Sequence, residues 1–144
     1  MIHRLAEDIN HNGTFDMWAS TKDSNGVYGD SNGVDEDSNG YTDDVIGIKC
    51  LANGQYSPDV RQYQSWPINV GRPLAHGTNV AGFVAARTNN VEGGAGMAGG
   101  WGALPGVRIM VVTMEVQSSV FPDVAVQNAV EYATNAGADI ISMS

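Results

Sequence analysis

Apolar residues follow four different patterns along the chain. From residue 1 to 44 they are scattered among Asn-Gly, Ser-Asn-Gly and Gly-Asp turns, which predicts loops. The run "VIGI" (45–48) predicts a short strand, and 49–72, with Pro58 and Pro67, predicts a long irregular connection. Val80, Phe83 and Val84 then recur at spacings of three and four, which predicts a helix over 76–88. The stretch 89–106 interleaves glycine with Ala, Met, Trp and Leu, as a tightly packed loop would. The continuous apolar run "VRIMVVTM" (107–114) predicts a strand covered on both faces. A second helix is expected over 121–135, with Val126, Ala129, Val130 and Ala133 on one stripe, Pro122 in its first turn and Gly137 as its stop. "ADIISMS" (138–144) predicts a further buried strand.

Strand, helix and strand from 107 to 144 make one βαβ unit, which is expected to be parallel and right-handed. The fold class is therefore α/β, a parallel sheet with flanking helices, preceded by a loop-rich acidic segment. The chain stops at a strand with an uncovered edge, which natural domains avoid, so the expectation is a piece of a larger domain.

Composition narrows the functions. The 144 residues suffice for one domain, and their net charge of −9 opposes nucleic acid or an anionic membrane as partner. No run of the sequence has the length of a membrane span, and "MIHRLAEDIN" lacks the apolar centre of a signal peptide. Cys50 is the single cysteine, which excludes an internal disulfide and a CxxC metal site. His3, His11 and His76 form no i, i+4 pair, so hydrolytic zinc is not expected.

Most of the acid lies between residues 7 and 44, and its spacing carries information. "DEDSNGYTD" sets Asp35, Asp37 and Asn39 at positions 1, 3 and 5 of a calcium-loop pattern, with Gly40 at 6, Tyr41 at 7 and Asp43 at 9. Position 12 is Ile46, so Asp43 or Asp44 would have to stand in for the closing glutamate. "DINHNGTFD" repeats the pattern with Asp8, Asn10, Asn12 and Asp16. The expected cofactor is structural calcium; a pair of Asx-rich turns without metal is the alternative.

His76 is the residue with the clearest chemistry. It opens a small-residue helix, where Gly77 admits close approach and Thr78 can bond the free amides of the first turn. An imidazole there serves as a general base if a carboxylate fixes its tautomer; a buried structural histidine is the alternative. The stretch His76-Gly77-Thr78-Asn79-Val80-Ala81-Gly82-Phe83-Val84-Ala85 resembles the histidine motif HGTxVAGxxA of the subtilisin-like serine proteases. "DEDSNGYTDDVIGI", "NNVEGGAGMAGG", "VRIMVVTM" and "VQNAVEYATNAGADIISMS" resemble other family segments in the same order. Asn79 stands where many members have a second histidine.

The resemblance implies an extracellular or secreted endopeptidase acting on polypeptides through aspartate, histidine and serine, with an asparagine donor to the oxyanion. Of these only His76 can be placed. Asp23 and Asp30 follow no strand, and no GTSMA nucleophile motif occurs. The resemblance further implies that Met114, Glu115, Val116 and Gln117 offer an edge to extended substrate, and that Ser144 opens one wall of a specificity pocket. The chain is then a peptidase-domain part (45–144) behind an acidic insertion (1–44), without peptidase activity alone. A calcium-binding module that keeps the histidine without catalysis is the rival reading.

Overall fold

The computed structural model describes residues 33–35, 38–60, 76–101, 104, 106–116 and 120–143. In chain order the elements are β1 (Gly47–Cys50), β2 (Tyr56–Ser57), α1 (His76–Ala85), β3 (Val111–Met114) and α2 (Asp123–Asn135). They fall into two compact units, one of residues 1–61 with 110–142, the other of 62–109 with 143–144. Residues 41–44, the end of the acidic segment, lie in the first unit with the sheet.

In the first unit the strand order is β2-β1-β3. β1 pairs with β3 in parallel, Gly47 opposite Val111 through Cys50 opposite Met114. β2 adds an antiparallel edge, Cys50 opposite Tyr56. The sheet is therefore mixed rather than wholly parallel. A hairpin at Leu51–Gln55 needs only a few residues to turn the chain back, and it lies inside the stretch expected to be irregular.

Alternation along β1 directs Ile48 and Cys50 to one face, where each is 1% exposed. With Ala125 and Tyr132 of α2 they form the core, packed by Val112 and Met114 of β3 and by Ala129 and Ala136. The helix thus buries positions 125, 129, 132, 133 and 136 in part or whole, while Val130 is exposed. The stripe expected from Val126, Ala129, Val130 and Ala133 is rotated toward Tyr132. Small alanines let the helix backbone approach the sheet, and the ring of Tyr132 fills the remaining depth. Full burial of Ile48 contributes about 1.5–3 kcal/mol relative to exposure.

Both ends of α2 follow from local sequence. Pro122 is its N-cap, one residue outside the helix, and its carbonyl accepts bonds from the N–H groups of Ala125 and Val126. Asp123 in the first turn complements the helix dipole. At the other end Gly137 takes φ 80°, Gly137 N–H donates to the Thr134 carbonyl and Ala138 N–H to the Ala133 carbonyl. This is the paired 5→2 and 6→1 closure that a left-handed glycine permits.

Two expectations fail after β3. Its four residues are only half-buried, so it is not covered on both faces. Residues 138–143 form no strand, and Ile140, Ile141 and Met143 are exposed. An apolar run needs a neighbouring strand to satisfy its backbone groups before it becomes a strand itself. The βαβ unit is therefore open at its last member. No helix among the described residues is long and apolar enough to cross a membrane.

Candidate active-site helix and acidic loop

α1 makes His76 its first residue, and the residue is exposed. None of the ten residues of α1 is buried, and Phe83 is 76% exposed. The stripe of Val80, Phe83 and Val84 that the spacing assigned to packing is therefore uncovered at Phe83. What anchors the helix is its C-terminal end. The N–H groups of Met97, Ala98 and Gly96 donate to the carbonyls of Phe83, Val84 and Ala86 at 2.9, 2.8 and 2.8 Å. These bonds satisfy carbonyls that a helix end otherwise leaves to water.

The glycine-rich loop makes those bonds possible by close backbone approach. A Cβ at Gly99 would collide with the Ala86 carbonyl. The Thr88 hydroxyl donates to the Gly100 carbonyl, and Val107 N–H donates to the Ala98 carbonyl at 2.9 Å. The loop is tight, as its composition predicts, but through its backbone. Val91, Met97, Trp101 and Leu104 all face outward.

The residues assigned to substrate lie at the end of β3. Val111 N–H donates to the Ile46 carbonyl and Glu115 N–H to the Cys50 carbonyl, 2.7 and 2.8 Å. In a parallel strand alternate residues address alternate edges, so Met114 and Val116 turn their backbone groups away from β1. Glu115 is tied by its side chain as well, since Oε2 accepts the N–H of Ala52 at 2.8 Å. Gln117 and Ser144 lie outside the described residues.

The acidic loop closes through its own carboxylates. Asp35 Oδ1 and Oδ2 accept the N–H groups of Asn39 and Gly40 at 3.1 and 2.8 Å. Asn39 Oδ1 accepts Tyr41 N–H, and Asp43 Oδ1 accepts Gly33 N–H. Asp44 turns inward, 8% exposed, where Oδ2 accepts the Tyr132 hydroxyl at 2.6 Å and the Asn39 amide at 3.0 Å. Tyr41 stacks edge-on between Tyr56 and Tyr132 with centroids 4.9 and 4.8 Å away. Thr42 N–H donates to the Tyr56 hydroxyl.

Oxygen donors of the kind calcium takes are present, but no three His, Cys, Asp or Glu side chains gather among the described residues. Asp8, Asn10, Asn12, Asp16 and Asp37 lie outside them. Burial raises the Cys50 thiol above its ordinary range, and it raises the Tyr41 phenol with smaller additions from Cys50, Glu131, Tyr56 and Asp44.

The tie of Glu115 to Ala52 and of Asp44 to Tyr132 had no signal in the sequence. Both join residues more than sixty positions apart, and no periodicity marks such a pair.

The chain is 42% identical over 71 residues to the "Thermophilic serine proteinase" of Bacillus sp. (strain AK1), across 48% of this chain and 16% of that protein. No solved structure matches the chain. The model of the Subtilase family matches residues 53–144, and the chain belongs to that family.

Proposed function

We propose that the chain is the histidine-bearing part of a secreted subtilisin-like serine endopeptidase. The observation that carries this reading is the sequence HGTNVAGFVA folded as a helix with His76 exposed at its head, within the matched span. His76 would take the proton from a serine hydroxyl as it attacks the peptide carbonyl, then protonate the leaving amine. The aspartate, the serine and the oxyanion donor would come from sequence beyond these 144 residues, since the chain spans about 16% of the curated relative it matches. Extended polypeptide would pair with the outward edge at Val116. The direction of the backbone groups there supports this.

A calcium ion in the 35–44 loop is part of the same proposal. Asp35 and Asn39 at positions 1 and 5, with Gly40 at φ 93°, support it. Asp44 would stay with Tyr132 rather than close the site, leaving Asp43 and Asp37 as the further carboxylates.

The test is the purified chain on casein. No cleavage is expected. Cleavage that disappears in His76→Ala would mean that the chain carries its own nucleophile, and would overturn the division of labour proposed here.

A further inference from the structure

The sequence holds five Asn-Gly pairs, whose asparagines are residues 12, 25, 32, 39 and 53. Such pairs undergo a spontaneous intramolecular reaction more readily than other peptide bonds, because glycine offers no side chain to obstruct it. The glycine backbone nitrogen loses its proton and attacks the asparagine Cγ, the side-chain nitrogen leaves as ammonia, and a succinimide ring forms. Water then opens the ring to aspartate or isoaspartate. One water enters and one ammonia leaves. The rate depends on how readily the glycine N–H gives up its proton and on how freely the asparagine side chain turns.

The structure treats these pairs unequally. Gly40 N–H donates to Asp35 Oδ2 at 2.8 Å, and Gly33 N–H, just after Asn32, donates to Asp43 Oδ1 at 2.9 Å. A carboxylate holds an N–H by a charge-assisted bond and opposes the negative charge that the nitrogen must acquire. The side chain of Asn39 is also fixed at both ends, by Tyr41 N–H on Oδ1 and by the buried Asp44 on Nδ2. At Asn53 no carboxylate takes the following glycine N–H; the nearby Glu115 carboxylate takes that of Ala52 instead. Gly54 N–H donates to the neutral Leu51 carbonyl at 3.1 Å, and within this exposed turn the Asn53 side chain is likewise held at both ends, by Gln55 N–H on Oδ1 and Gln55 Oε1 on Nδ2, so the acceptor of the glycine N–H is what separates the two pairs.

We propose that Asn53 is a site of spontaneous deamidation in the β1–β2 turn, and that Asp35 and Asp43 guard Asn39 and Asn32 by holding the following glycine N–H. The product adds a negative charge at the turn. In its isoaspartate form it lengthens the backbone by one methylene between Leu51 and Gln55, the two residues whose backbone bond closes the hairpin.

The purified chain, kept in mildly alkaline buffer and sampled over days, would be peptide-mapped by mass spectrometry with an isoaspartate assay. Conversion at Asn53 is expected to run several-fold faster than at Asn39 or Asn32. Asp35→Ala is expected to raise the Asn39 rate several-fold and leave Asn53 unchanged, and Asp43→Ala to do the same for Asn32. Asn53 is the internal control for general loosening of the fold. Equal rates at Asn39 and Asn53 in the unaltered chain would overturn the proposal. So would an Asp35→Ala chain in which Asn39 is no faster, or in which both sites accelerate together.

Discussion

The Tyr132 hydroxyl meets Asp44 Oδ2 at 2.6 Å across 88 residues of sequence, inside the core where β1, β3 and α2 pack. This bond joins the end of the acidic loop to the helix. Asp44 is buried and also accepts the Asn39 amide, so loss of the hydroxyl leaves a carboxylate with one of these two partners. Tyr132→Phe should cost about 1.5–3 kcal/mol of stability, the range for hydrogen bonds to charged groups. Urea denaturation would measure it, and a midpoint equal to that of the unaltered chain would contradict the role given to this bond.

Cys50 makes an alkaline prediction. Its folded thiol titrates above the ordinary value of 9.0 because burial disfavours the thiolate. The unfolded chain therefore loses this proton first as pH rises. The stability is fully present below 9.0 and is lost as pH climbs toward the folded value. Tyr41, raised by burial above 10.0, acts in the same direction at higher pH. Denaturation midpoints measured across this range should fall with pH, and the fall should be smaller in Cys50→Ala. Midpoints that rise with pH would show that the thiol is not where the structure puts it.

What could be read from the sequence was local. The helix spacing of Val80, Phe83 and Val84, the stop at Gly137 and the strands at 47–50 and 111–114 each depend on neighbouring residues, and each appears in the structure. The failures lie where a distant partner decides. Residues 138–143 read as a strand but form none among the described residues. The helix stripe turned toward Tyr132 because the sheet presents Ile48 and Cys50, which the helix sequence cannot reveal. The helix that begins at His76 was legible because its motif lies within ten consecutive residues, whereas the Glu115–Ala52 tie was not.

Calcium is expected to raise the melting temperature of the chain through the 35–44 loop. Calorimetry with and without chelator would compare the unaltered chain with Asp37→Ala, whose carboxylate sits at position 3 of the pattern. The expected result is a calcium-dependent shift that shrinks in the variant. Identical shifts in both would take this loop out of the account.

Catalysis by His76 as a base is tested by the peptidase activity of the protein from the full open reading frame, with and without His76→Ala. The substitution lies at an exposed helix head, so folding stability should change by no more than about 0.5 kcal/mol. Activity should nonetheless collapse, with kcat falling by about a million-fold and KM little changed, as when one member of a cooperating triad is removed. A full-length protein that keeps its turnover without His76 would mean that another group is the base.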